Sequence, residues 1–392
     1  MAGRDLYPPK LLAQEMTSPL DISSKLRFLL PLLIAIAVVL PIATPPGKAD
    51  AATWTIRGGG FGHGIGMSAY GAYGMGQAGF KYGRILGHYY RGIQIRKVAK
   101  KRNIKVLLDT DSSPRFSGAR WACGRKLLPR LTYSAGIGRN GIFLKGGGGK
   151  PLKKCGRVLR TEANKSVVFK GLGHYRGGVE LIVRGGSFYV INNVPLNYYC
   201  RGVLSKELIP SWPLETLKAF ALAARSIGLS AKGTHDGFDV YPDTRSQVYG
   251  PISSEYSRTN RACAKTASQA LFYGGKVAMA LFSASSGGYT ENVENVWFGE
   301  PIPYLRGVPD PWDKGSPYHR WTYRFSHARM SSLLGSYVSG RLRGIHVTRT
   351  GVSGRVMWAR LTGTGGTTRI RGDSLQSALG LPDRLLVSIN VR

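Results

Sequence analysis

Acidic side chains are what this sequence lacks most. Among its 392 residues, 21 are Asp or Glu and 55 are Lys or Arg, a formal charge of +34. Such an excess points to a polyanionic neighbour or serves solubility alone. Cysteine is scarce as well. Cys123, Cys155, Cys200 and Cys263 include no C-x-x-C pair, which excludes a zinc ribbon. None of the seven histidines sits in an H-E-x-x-H motif, so no metal centre and no cofactor are expected. No G-K-[ST] follows the glycine-rich stretch, and Ser285 and Ser286 lack a G-x-S-x-G elbow. A nucleotide loop and a serine-hydrolase nucleophile are thereby set aside. There is no solenoid repeat.

The N-terminal apolar run, residues 28–43, is short and interrupted by Pro31 and Pro41; a membrane span needs roughly 20 apolar residues. Lys25 and Arg27 precede it, and Ala49-Asp50-Ala51 follows as a small-x-small pattern. Residues 1–51 therefore read as a secretory signal or, if retained, an N-terminal membrane anchor. The expectation is an exported protein of the cell wall or extracellular space. Five bases and four acids lie in that segment, so the rest of the chain carries +33. Export argues against nucleic acid and for anionic wall polymers as the counterpart of that charge. It also places the four cysteines where disulfides form. Of three connectivities, Cys123–Cys155 with Cys200–Cys263 is the most local and is preferred.

What is abundant is glycine, 53 residues, which favours turns and β-structure over helical bundles. Residues 52–97 combine a Gly-rich loop with a helical pattern and are expected to pack on the catalytic domain. Residues 98–195 alternate apolar and polar side chains, at 104–108, 131–133, 167–169 and 179–183, and read as a β-rich accessory region. Within them, 146–154 (G-G-G-G-K-P-L-K-K) reads as a flexible basic loop. Residues 196–392 form the catalytic region. There, 196–231 predict two helices broken at Pro210, with Ser211 as a candidate N-cap for the second. The second helix is apolar on most sides, as expected of a buried one. The fold class is α+β, a β-rich core around a central buried helix pair.

Three motifs could carry chemistry. The first is G-G-G-F-G-H-G-I-G-M-S-A-Y-G-A, residues 58–72, with six glycines in nine positions. Its His63 is a general base, a ligand or a structural hydrogen-bonder. The second is Glu207, at the end of the first helix among Leu204, Leu208, Ile209 and Trp212. Desolvation there would favour the protonated acid, which glycosidic cleavage needs; a capping or surface-paired glutamate beside Lys206 reads equally well. The third is a pair of polar loops, residues 243–249 and 285–290. Gln247, Tyr249, Ser286 and Thr290 suit sugar hydroxyls as well as they suit turns. Arg225, on the second helix, is a candidate for orienting Glu207 or a buried structural residue.

Together these stretches resemble the sporulation stage II protein D and amidase-enhancer LytB family. The matching blocks are G-F-G-H-G-I-G-M-S-A-Y-G-A, L-N-Y-Y-C-R-G-V-L-S-K-E-L-I-P-S-W-P-L-E-T-L-K-A, A-A-R-S, T-R-S-Q-V-Y-G, S-A-S-S-G-G-Y-T and R-I-R-G-D-S-L-Q-S-A-L-G-L. The resemblance implies a lytic transglycosylase cutting peptidoglycan glycan strands, with Glu207 as catalytic acid; His63, Arg225, Gln247, Tyr249, Ser286 and Thr290 are, from their own chemistry, the candidates for the substrate's surroundings. It equally implies a second role, modulation of a wall amidase. The sequence departs from the family in three ways. The G-H-G-I-G-M-S block is usually C-terminal and stands first here, an apparent circular permutation that requires residues 385–392 to lie near 53–57. The places of two zinc ligands found in some members hold Arg245 and Ser246. Phe220 and Ile227 replace a usual Gln and Tyr.

Overall fold

The computed structural model describes residues 52–99, 102–162 and 165–392; the signal or anchor expected in residues 1–51 lies outside them. Strands and helices are mixed throughout, an α+β fold. No helix among the described residues is long and apolar enough to cross a membrane.

The two ends of the described chain meet in one sheet. Strand Thr53–Gly59 lies between Trp321–Ser326 and Leu385–Val391, antiparallel to both, with Trp54 opposite Val391 and Ile56 opposite Ile389. Residues 385–391 therefore lie beside 54–59, the adjacency expected from the sequence. Trp54 and Ile56 enter a core built from Met330, Leu342, Leu361, Leu375 and their neighbours, which belongs to the last 70 or so residues.

The strand then runs into the Gly-rich loop. Gly60, Gly62, Gly64 and Gly66 all have φ between +68° and +106°, where side chains are strained. The alternating glycines are thus a backbone requirement. The loop ends at Ser68, whose hydroxyl accepts from Gly71 N–H and caps helix α1 (Ala69–Gln77). Helix α2 (Tyr82–Tyr89) follows.

Residues 103–195 are antiparallel β-structure in two larger sheets and the small hairpin Trp121–Ala122 with Arg125–Lys126. One orders Pro151–Gly156, Gly141–Lys145, Tyr133–Gly138, Arg115–Ser117, Ser166–Phe169 and Gly173–Arg176. The other orders Val158–Arg160, Gly178–Arg184, Ser187–Pro195 and Asn103–Asp111. The expected flexible loop at 146–154 is corrected by the first sheet. Only 146–149 turn, while Pro151–Gly156 forms an edge strand because Gly146 and Lys150 close a hairpin.

Helices α3 (Leu196–Glu207), α4 (Leu214–Ser230) and α5 (Ser257–Lys265) form the centre. From Ala219 to Leu229 every residue of α4 is buried, as its composition predicts. Ser211 does not cap it; Pro213 occupies that position, its ring pre-setting the backbone angle without a side-chain acceptor. The disulfides are Cys123–Cys155 and Cys200–Cys263, the local pairing. The second ties α3 to α5.

Candidate active site

Helix α3 ends at Glu207 because Leu208 turns extended and Pro210 cannot continue the helix. Leu204, Leu208 and Trp212 are buried, whereas Ile209 is 43% exposed and so leaves the apolar setting expected of it. Glu207 keeps part of its surface in water. Its carboxyl is nonetheless set deep among protein atoms, and burial pushes it up to about 7. The Val248 N–H, donating to Oε1 at 2.6 Å, opposes that rise. A position at a helix C-terminus also disfavours a negative charge. No described cation forms an ion pair with it. Glu207 is thus a buried carboxyl, on a partly exposed residue, held protonated up to about neutral pH.

The flanking residues of Val248 fix the donor. Gln247 is buried and donates through Nε2 to Tyr199 Oη (2.8 Å) and to the Ala224 carbonyl (3.2 Å). Tyr249 is buried, donates to Asn192 Oδ1 at 2.7 Å, and stacks between Tyr175 and Tyr199. Both side chains point into the core, so they brace the Val248 N–H instead of presenting polar atoms at the surface. Arg225 is fully buried. Its Nε donates to the Gln269 carbonyl at 2.8 Å, and its remaining bonds go to Thr266 and the Cys200 sulfur. It clamps α4 to α5 and the following strand and makes no hydrogen bond to Glu207. Arg245 pairs with Asp243 and lies 3.7 Å over the Tyr241 ring, while Ser246 Oγ accepts from Tyr241 N–H.

The Gly-rich segment reaches this region through α1. Tyr73 stacks on Trp212 at 4.9 Å and Tyr70 meets the same ring edge-on at 5.3 Å. Thr216 Oγ1 donates to the Ala72 carbonyl, and Glu215 accepts from Tyr82 N–H. A Cβ on Gly76 would lie 2.1 Å from Thr216 Oγ1, so the helices pack only if position 76 is glycine. His63 is half-buried. Its Nδ1 accepts from Ile65 N–H, and its ring lies 5.7 Å from Trp297. Burial, with Arg355 and Arg384 nearby, lowers it to about 4, so it is neutral at ordinary pH and braces its own loop.

Ser286 and Thr290 are buried too. Ser286 Oγ donates to Asp310 at 2.7 Å, and Thr290 exchanges hydrogen bonds with the backbone of Val308. They belong to a hub that sequence reasoning missed. Asp313, fully buried, accepts from Ser68 Oγ, Ser285 Oγ and the N–H groups of Ser286 and Gly287, and contacts His319 Nδ1 at 3.1 Å. Asp310 accepts from Tyr89 and Ser286, and burial raises it to about 6. The hub ties the Gly-rich segment to residues 283–319. The run Asp310-Pro-Trp-Asp313, two acids close together in an acid-poor chain, was the available signal. Among the described residues no group of three or more His, Cys, Asp or Glu is arranged to hold a metal ion.

Residues 184–273 match the model of the Stage II sporulation protein family, a segment that contains Glu207, Arg225, Gln247 and Tyr249. The chain is 32% identical to the Stage II sporulation protein D of Bacillus amyloliquefaciens over 213 residues, covering 50% of this chain and 60% of that one. It is 32% identical over 187 residues to an uncharacterised protein of Brachyspira hyodysenteriae, covering 47% and 50%. It is 38% identical to the amidase enhancer of Bacillus subtilis over 133 residues, covering 34% of this chain and 17% of that one. This chain spans about half of the curated relatives it matches first. Over residues 184–273 the chain thus carries a match to the Stage II sporulation protein family, and about half of it is similar to Stage II sporulation protein D.

Proposed function

We propose that this protein acts on the bacterial cell wall outside the cytoplasm, cleaving peptidoglycan glycan strands with Glu207 as general acid. The observation that carries the reading is a carboxyl on a partly exposed residue, raised to about 7 by burial, with no cation among the described residues paired to it. At neutral pH a large share of such groups holds the proton that the leaving sugar oxygen needs. Glu207 gives that proton to the oxygen linking N-acetylmuramic acid to N-acetylglucosamine, and the C1–O bond breaks. The 6-hydroxyl of the muramic residue closes on C1, and its proton returns to the Glu207 carboxylate. The product is a 1,6-anhydro end, and no second carboxylate takes part, unlike paired-carboxylate hydrolysis. A group titrating near 7 serves both halves of that exchange. Two disulfides support an oxidising compartment. Incubation of the purified chain with glycan strands is expected to release anhydro-muropeptides detectable by mass. Binding without release would overturn the reading.

The amidase-enhancer match favours a second reading, in which the chain binds wall and stimulates an N-acetylmuramoyl-L-alanine amidase without cutting glycan itself. In that case Glu207→Gln would leave the stimulation intact, and no anhydro product would form with either protein.

A further inference from the structure

Residues 112–161 contain twelve Lys and Arg and not one Asp or Glu. Like-charged side chains repel, so a fold holds them together without acids only where something else offsets the cost. The structure gathers them further. Hairpin strands Trp121–Ala122 and Arg125–Lys126 are pinned to the edge strand Pro151–Gly156 by the Cys123–Cys155 disulfide and by a hydrogen bond from Arg125 to the Leu152 carbonyl. Arg125 and Lys126 are thereby fixed beside Lys153 and Lys154. Arg120, Arg130, Lys150 and Arg157 flank these four, and all eight are exposed. None of the eight forms an ion pair with a described acid. Charged residues also protect a sheet edge from pairing with other chains. That purpose needs one or two lysines on the edge strand and does not account for cations on the hairpin and both turns.

We propose that this stapled basic edge is a docking surface for a linear phosphodiester polyanion of the polyol-phosphate kind carried by cell walls. Charge complementarity selects the class. The cations follow a strand edge and its adjoining hairpin, a line that a flexible chain tracks. Trp121, 40% exposed, is the one exposed aromatic side chain in the stretch, since Phe116 and Tyr133 are buried and Phe143 is half-buried. Single-stranded nucleic acid is held on successive rings, a platform this surface does not offer. The site is separate from Glu207, so docking would hold the protein on the wall independently of any cleavage.

The test measures binding of the full chain to purified polyglycerol phosphate at about 50 and about 200 mM salt. Three proteins are compared: the wild type, a face variant (Arg125→Gln, Lys126→Gln, Lys153→Gln, Lys154→Gln) and an equal-charge control (Arg324→Gln, Arg329→Gln, Arg343→Gln, Arg349→Gln). The substituted residues of the control are also exposed. The expected result is steep loss of wild-type binding with salt, at least about tenfold weaker binding for the face variant, and at most about threefold for the control. Equal losses in both variants would overturn a built surface and leave only net charge. Tighter binding to phosphatidylglycerol vesicles or to duplex DNA than to the polymer, with the same dependence on these four residues, would overturn the proposed partner. Thermal melting of each variant shows that the fold is kept. A Cys123→Ser, Cys155→Ser variant frees the hairpin and should weaken polymer binding with all twelve cations still present; unchanged binding would overturn the role given to the staple. Cleavage of isolated glycan strands by the face variant should match wild type. Failure of docking and failure of the Glu207 reading are therefore seen in separate assays.

Discussion

Glu207 and Glu180 are both carboxylates in a strongly basic chain, and the protein treats them in opposite ways. Glu180, in the accessory sheets, is buried, and burial alone would raise it. Arg160 and Lys105, bonding to its two oxygens at 2.9 and 2.6 Å, outweigh that and hold it below the ordinary carboxylate range. Glu207 is offered one backbone N–H and stands raised. Glu207 is one of several described acids outside any ion pair, Glu291 and Asp310 among them. Here the cation nearest in sequence, Lys206, is exposed on the helix, and Arg225 is spent on carbonyls and a sulfur. A paired carboxylate holds a fold together, whereas an isolated one remains free to exchange a proton.

The comparison breaks most sharply on Glu207→Gln. The amide still accepts from Val248 N–H but has no proton to give, so glycan cleavage should fall by about two to four orders of magnitude. Anhydro-muropeptide release reads this directly, and retention of most activity would remove Glu207 from the role of acid. Next in size is Glu180→Ala. It strands Lys105 and Arg160, which are partly exposed and can regain water, so the expected cost is about 1–3 kcal/mol in urea unfolding with cleavage otherwise kept.

The two carboxylates should also differ in the sign of their pH dependence. A raised folded-state value means that Glu207 contributes fully to stability below its unfolded value of 4.5 and loses that contribution as pH rises through about 7. Glu180, held low, behaves oppositely: its contribution is present above its unfolded value and is lost on acidification. Glu207→Gln should therefore gain stability over wild type at about pH 8 relative to about pH 5. The gain is on the order of 1 kcal/mol once the water-facing part of the group is discounted. Paired melts at the two pH values check this. The smallest effect is expected from Ile209→Lys. An added cation on that exposed position should lower the Glu207 titration, and with it the alkaline limb of activity, by a few tenths of a pH unit, less at high salt.

Much of this arrangement was legible in the sequence. The mostly apolar α4, the break at Pro210, the local disulfides and the glycines at positive φ each follow from rules acting over a few residues or from the spacing of a scarce one. The meeting of residues 53–59 with 385–391 was legible through the displaced motif. What was not legible was the direction in which polar side chains point. Gln247, Tyr249, Ser286 and Thr290 read as surface groups because their residue types favour loops, yet each is turned inward by a partner fixed elsewhere. The Asp313 hub lay hidden for the same reason, since Ser68 is 245 residues from the carboxylate it bonds.

The sequence by itself determined the charge, the helix pair, the strand-rich middle and the placement of one acid at a helix end, because these depend on composition, periodicity and local backbone limits. Only the tertiary structure decided that no described cation pairs with this acid while Glu180 is given two. It also decided that a hairpin and an edge strand share one basic face. Both outcomes depend on which distant side chains arrive within a few ångströms of each other, and desolvation and pairing act only at that range.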